Sequence, residues 1–398
     1  MNSVESPRGS RLHIGIFGRR NAGKSSLINA LTGQDLAIVS SERGTTADPV
    51  FKSMEFHPIG PVVFIDTAGF DDEGELGSKR VDKTREMVDR TDIAIVVTEA
   101  GAKDTEIEER WIKDLESRDI PVITVTNKID LVDSAGASSE NERTAKDPIA
   151  VSAVTGEGMD ELRRAIVELS KKADSGDDLL GDLVKGGELV LLVMPQDIQA
   201  PKGRLILPQV QTIRALLDKK CSVVSATADG FRRALKELSR APDLIITDSQ
   251  CFGQVWEERP RESPLTSFSI LMAQAKGDIE VFIDGAKAID DLAPNPRILI
   301  AEACTHVPQG EDIGTVKIPR MLRKLFGENV EITGVRGNDF PGVEELASYD
   351  LVIHCGACMF NRRHVMSRIA DSKEAGTPIT NYGVFLAKMN GILDKISI

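Results

Sequence analysis

The chain reads as an α/β protein of three parallel-sheet domains, and three observations predict this. Short apolar runs such as Leu12 to Phe17, Glu188 to Met194 and Asp350 to His354 have the unbroken hydrophobicity of strands buried on both faces. Helical patterns such as Gln209 to Lys219 and Arg362 to Ala370 lie between consecutive runs, which is the βαβ alternation. A length of 398 residues exceeds one hydrophobic core and suits two to three domains.

The formal net charge of −13 argues against nucleic acid or an anionic membrane as the main partner, because both call for clustered Lys and Arg. No run approaches the roughly 18 apolar residues of a membrane span. Met1 to Ser10 is polar and carries no signal-peptide pattern, so a cytoplasmic protein is expected. Five cysteines in so long a chain do not make a disulfide framework; a reducing compartment with metal-binding thiols follows.

After a disordered lead over residues 1–10, the first domain is expected over 11–172. The strand Leu12 to Phe17 runs into Gly18-Arg19-Arg20-Asn21-Ala22-Gly23-Lys24-Ser25, and a helix is predicted from Ser26 to Leu31. This is GxxxxGK[ST] in a strand-loop-helix setting. The glycines let the backbone wrap a diphosphate, Lys24 reaches the β and γ phosphates, and Ser25 holds magnesium. Downstream, in order, come Gly44-Thr45-Thr46, Asp66-Thr67-Ala68-Gly69, Asn127-Lys128-Ile129-Asp130 and Val151-Ser152-Ala153. Asp66 is the expected acidic partner of magnesium, Gly69 the backbone reader of the γ phosphate, and Thr46 completes the metal shell. Asp130 accepts hydrogen bonds from the two donors on a guanine edge, which adenine lacks. The nucleotide-binding set is therefore Gly18, Asn21, Ala22, Gly23, Lys24, Ser25, Ser26, Thr45, Thr46, Asp66, Gly69, Asn127, Lys128, Asp130, Ser152 and Ala153, with GTP and GDP as ligands. Lys24, Thr46 and Asn21 are expected to bear on catalysis. Phe70 stands where a water-orienting glutamine sits in Ras-like enzymes, so unaided hydrolysis should be slow.

A polar stretch places a linker at 173–187, followed by a small parallel-sheet domain at 188–262 with strands Glu188 to Met194, Cys221 to Ala226 and Asp243 to Thr247. Cys221 and Cys251 stand alone there and read as buried or incidental thiols. The last domain, 263–398, holds the other three cysteines, in Cys304-Thr305-His306 and His354-Cys355-Gly356-Ala357-Cys358. Each group follows an apolar strand, and in an open parallel sheet the ligand crevice lies outside the carboxyl ends of the strands. Three thiolates suit a soft metal or an iron-sulfur cluster, with a fourth corner left to histidine, carboxylate, water or a foreign ligand. A Cys3His zinc site has the same spacing.

Over roughly Arg11 to Lys172 the nucleotide motifs resemble those of translation-factor-like GTPases of the TrmE and Era type. The chain as a whole is similar to the FeFe-hydrogenase maturation GTPases of the HydF family, on both cysteine motifs and on Asp312-Ile313-Gly314 and Val316-Lys317-Ile318-Pro319. The resemblance implies a 4Fe-4S cluster on Cys304, Cys355 and Cys358 with a labile fourth position; His306 and His354 fit the motif, each as iron ligand, precursor bridge or support for a thiolate, and Asp312 is a further candidate for the fourth corner. It implies a scaffold that takes a transient di-iron precursor from radical-SAM maturation enzymes and passes it to the FeFe-hydrogenase apoprotein. It also implies a homodimer through the middle domain. The TrmE likeness implies a potassium ion held by Asn21 beside the phosphates. The competing reading is a TrmE- or Era-like GTPase of tRNA modification or ribosome assembly with a structural zinc.

Overall fold

The computed structural model describes residues 11–32, 50–67, 87–132, 147–173, 179–195, 205–303, 312–337, 339–357 and 360–397. The chain divides into two compact units, Met1–Gly176 and Asp177–Ile398.

The first unit is built on six strands, β1 (Leu12–Gly18), β2 (Val50–Phe56), β3 (Gly60–Asp66), β4 (Ile93–Glu99), β5 (Val122–Asn127) and β6 (Ile149–Ala150), in the order β2-β3-β1-β4-β5-β6. All neighbours are parallel except β2 and β3, which leaves an antiparallel strand on one edge. Because successive side chains of a strand point to opposite faces, β1 feeds two cores. Ile14 and Ile16 pack with Leu27 and Ile28 of helix α1 (Lys24–Thr32) and Leu162 and Ile166 of helix α3 (Met159–Ala173). Phe17 faces the other way, towards Leu115 of helix α2 (Glu106–Ser117). The central strands are thus unbroken apolar runs, as a sheet covered on both faces requires.

The second unit has two four-stranded, all-parallel sheets. One contains β7 (Leu189–Val193), β8 (Ser222–Ala226), β9 (Leu244–Thr247) and β10 (Leu265–Ser267) in the order β10-β9-β7-β8. The other contains β11 (Arg297–Glu302), β12 (Glu331–Arg336), β13 (Leu351–His354) and β14 (Ile379–Asn381) in the order β12-β11-β13-β14. The connecting helices that matter below are α4 (Leu207–Asp218), α5 (Phe231–Glu237), α6 (Phe252–Glu258), α7 (Phe268–Lys276), α8 (Ile279–Lys287), α9 (Ile318–Phe326), α10 (Val343–Leu346), α11 (Arg362–Glu374) and α12 (Tyr382–Met389).

Two expected boundaries move. Leu179, Leu180 and Val184 fall in the stretch assigned to a linker, yet they are buried in the core of the β7 sheet. Strand β10 (Leu-Thr-Ser) lies past residue 262 but hydrogen-bonds to β9, so its backbone groups are satisfied in the sheet of the preceding domain. The two sheets also do not have separate interiors. Leu191, Val193 and Ile245 of one share a continuous core with Leu299, Ala301 and Val352 of the other. Helix α8 reaches β14 so closely that a Cβ on Gly285 would meet the Ile379 carbonyl oxygen at 2.0 Å.

Candidate functional site

At the carboxyl end of β1 the phosphate loop turns through Asn21 (φ 64°) and Gly23 (φ 88°). Gly23 is dictated twice, by its left-handed backbone and by Asn127 Nδ2, which a Cβ would meet at 2.3 Å. Lys24 is buried, and its Nζ donates to the carbonyl oxygens of Gly18 and Arg19, both at 2.9 Å. The ammonium is thus held at the centre of the ring of backbone that would surround a diphosphate. Ser25 Oγ donates to Asp66 Oδ2 at 2.5 Å, so the two groups assigned to magnesium meet across the sheet. Ala22 is buried, while Asn21 and Ser26 are exposed.

The base-reading residues converge on the same end of the sheet. Asn127 is 1% exposed. Its Nδ2 donates to the Ala22 carbonyl at 2.9 Å and its Oδ1 accepts from the Ala153 N–H at 3.2 Å, which ties the phosphate loop to the base loop. Lys128 has a left-handed φ of 65° and pairs with Glu99 at 3.0 Å. Ser152, fully buried, donates its hydroxyl to Asp130 Oδ1 at 2.6 Å and accepts the N–H groups of Val154 and Thr155. The carboxylate of Asp130 is thereby aimed while the residue stays exposed to an incoming ligand. Thr45, Thr46, Gly69 and Phe70 lie outside the described residues. Sequence reasoning passed over Arg19, which pairs with Glu108 at 3.0 Å and Asp104 at 3.1 Å and so anchors the phosphate loop to α2. The acidic pair brackets the start of an amphipathic helix and gives no motif of its own.

In the second unit the carboxyl end of the β11 sheet gathers Glu302, Arg336, His354, Cys355 and Tyr382. Cys355 is partly exposed, and its Sγ accepts the N–H of Ala303 at 3.0 Å and of Ala357 at 3.4 Å. Cys304, His306 and Cys358 lie outside the described residues. The residues bonded to two of them, Ala303 and Ala357, are nevertheless the donors to the Cys355 sulfur. Two backbone N–H groups aimed at one sulfur suit a thiolate, so Cys355, the described one of the three cysteines, fits a metal-ligating role. Among the described residues no group of three or more His, Cys, Asp or Glu is placed to hold a metal ion.

His354 is engaged on both sides of its ring. Its ring is fully buried, Nδ1 lies 2.7 Å from the Cys355 carbonyl oxygen, and Nε2 lies 2.9 Å from Arg368 Nη1. Burial, with the adjacent Arg368 charge, lowers its pKa to about 3, so the ring is neutral. Both nitrogens are engaged, and of the alternatives open for this histidine the geometry suits a support for the loop that carries Cys355. Asp312 accepts from the N–H and hydroxyl of Thr315 and caps the π-helical turn Ile313–Lys317 that leads into α9. Glu302 accepts from Arg336 Nε at 3.0 Å and from the Tyr382 hydroxyl at 3.3 Å. The Tyr382 phenol is pushed upward by burial and by Cys355 and Glu302 beside it.

No helix among the described residues is long and apolar enough to cross a membrane. Residues 13–128 match the family described as 50S ribosome-binding GTPase. The tRNA modification GTPase MnmE of Bordetella parapertussis is 33% identical over 160 residues, 40% of this chain and 34% of that protein. GTPase Der of Kosmotoga olearia is 35% identical over 176 residues, 41% of this chain and 40% of that protein. The chain thus spans well under half the length of either. The G domain of the T. maritima FeoB iron transporter covers 40% of the chain, and the match takes in 99% of that domain, at 24% identity and a TM-score of 0.31. Residues 179–277 match the hydrogen maturase F dimerization domain and residues 280–397 its tetramerization domain. A GTPase domain followed by these two modules is the layout of one family, and the chain belongs to it, the hydrogen maturase F family.

Proposed function

We propose that the chain is a GTP-hydrolysing scaffold that binds a 4Fe-4S cluster on Cys304, Cys355 and Cys358 and hands a di-iron precursor to apo FeFe-hydrogenase. Radical-SAM maturation enzymes are the proposed source of that precursor. The observation that carries the reading is the pair of N–H groups, from Ala303 and Ala357, converging on the Cys355 sulfur. Negative charge on a sulfur is stabilised by such donors, and both come from the immediate chain neighbours of the other two cysteines. When bound, the cluster would supply an iron whose fourth position can exchange. The chain's part is to fix the Cys355 thiolate and its loop, and to close the sheet end beneath it with buried His354 and the Glu302–Tyr382 pair.

In the first unit Lys24 would meet the β and γ phosphates, Asp130 the guanine edge, and Ser25, Thr46 and Asp66 a magnesium ion that offsets phosphate charge. Asn21, exposed beside the loop, is the proposed potassium contact. Self-association through the second unit agrees with the two modules that its residues match.

The relatives named for tRNA modification match only the GTPase part, so they bear on a zinc-carrying alternative without reaching the cysteines. Anaerobic purification, metal analysis and EPR separate the two. Brown protein with a cubane signal after reconstitution supports the scaffold. Colourless protein with stoichiometric zinc that takes up no iron sinks it.

A further inference from the structure

His354 makes two hydrogen bonds, and the identity of one partner decides the direction of the other. Arg368, on α11, is 3% exposed, and its Nη1 lies 2.9 Å from His354 Nε2. A guanidinium only donates and does not lose its proton in proteins, so Nε2 has to present a lone pair. The single proton of the neutral ring then sits on Nδ1, which donates to the Cys355 carbonyl oxygen at 2.7 Å. Arg368 is itself held. Its Nη2 donates to the Gly337 carbonyl just beyond β12, and its guanidinium carbon lies 4.6 Å and 4.8 Å from the ring centroids of Phe340 and Phe360.

The loop that this contact reaches is one that needs holding. Ala357 has a φ of 50°, the left-handed region that a residue with a Cβ avoids unless its surroundings impose it. The peptide N–H that enters this left-handed residue is the one that donates to the Cys355 sulfur. Fixing the Cys355 carbonyl fixes the peptide plane from which this turn starts.

We propose that Arg368 is a positioning residue for the cluster loop: by dictating the His354 tautomer it locks the Cys355 carbonyl and so keeps the Cys355 sulfur in its ring of N–H donors. This deepens the cluster reading above and rests on it for its purpose, while its geometry stands in the metal-free chain. It also gives the histidine before the first cysteine of the pair a role other than ligation: a side chain with an acceptor on one side and a donor on the other bridges a buried arginine to a backbone carbonyl.

The test begins with full-length metal-free protein labelled with 15N and 13C at histidine, observed by solid-state NMR. Five histidines are resolvable, and a His354→Gln sample assigns the one in question. The wild type should show His354 solely as the Nδ1–H tautomer; an Nε2–H ring overturns the proposal without any substitution at Arg368. Arg368→Met, of similar length but with no donor, should admit the Nε2–H form. After anaerobic reconstitution it should hold iron against a chelator roughly tenfold less well, the order of one charged hydrogen bond. Arg368→Lys, which keeps a charged donor, should restore both the tautomer and most of the iron retention. A change of tautomer with undiminished iron retention removes the positioning role. Should Arg368→Met fail to fold, the Lys variant and the wild-type spectrum still decide. A wild-type chain that takes up no iron sinks the cluster reading instead, and leaves the tautomer result intact.

Discussion

Asn127 shows how a motif residue serves the fold and the ligand at once. Its amide spans the Ala22 carbonyl and the Ala153 N–H from a buried position, so removing it strands one donor and one acceptor. Asn127→Ala should destabilise the metal- and nucleotide-free protein by about 1–3 kcal/mol and weaken GDP binding, seen as a lower urea midpoint for the first unit and a fluorescent-GDP titration. An unchanged midpoint with unchanged affinity would mean that the two loops hold their places unaided. Asn21 makes a different prediction. With Phe70 in place of a water-orienting side chain, extra positive charge has to reach the β–γ bridge. Potassium should accelerate GTP hydrolysis above sodium at matched ionic strength, and Asn21→Ala should erase most of that difference while GDP still binds. Equal rates in both salts would assign the missing charge to a partner protein. At this scale the nucleotide residues were legible because each belongs to a fixed spacing whose chemistry is known. Arg19 and Arg368 were not, because a single basic residue in a helix or loop carries no pattern; its meaning comes from a carboxylate 89 residues away in one case and an imidazole 14 residues away in the other.

Elements were read well where they are central and poorly where they are edges. Strands β1, β7, β11 and β13 are continuous apolar runs, and the sequence places them within a residue or two. The short strand β10 was missed, since three residues give no periodicity. Strand β8 is the open edge of its sheet among the described residues, and its pattern is only half-buried. An unpaired edge invites another strand. Helix α4, which packs beside β8, exposes Val210 and Leu217, seven residues apart on one face, and Leu205 just before it is exposed as well. Val210 and Leu217 thus lie on the helix that packs against this edge strand. If self-association uses this face, Leu217→Glu should shift the protein towards smaller species in analytical ultracentrifugation at micromolar protein. An unchanged size distribution would move the interface away from this face.

For the whole molecule, the three expected α/β domains stand, and the packing joins the interiors of the last two. Two sheets were expected to have two interiors, yet the buried residues of β7 and β11 join one core, a fact set by which helix faces meet and invisible in local periodicity. The second unit should therefore unfold in one step. Each unit holds one of the two tryptophans, Trp111 stacked on Phe17 and Trp256 stacked on Phe252. Trp→Phe variants consequently give each unit its own fluorescence signal. GDP at a hundredfold over its Kd should raise the Trp111 transition by about 2.7 kcal/mol and leave the Trp256 transition in place, because only the unit that binds is stabilised by mass action. A Trp256 transition that moves equally would show that the two units unfold as one.

The central claim is that nucleotide chemistry and iron binding belong to separate sets of residues, Lys24 in one unit and Cys355 in the other. Measuring iron content and GTP turnover side by side in wild type, Cys355→Ser and Lys24→Ala tests it most directly. Cys355→Ser should lose its iron and keep near-normal turnover, and Lys24→Ala should keep its iron and lose turnover. Full iron retention in Cys355→Ser, or loss of turnover in that variant with circular dichroism unchanged, would contradict the account.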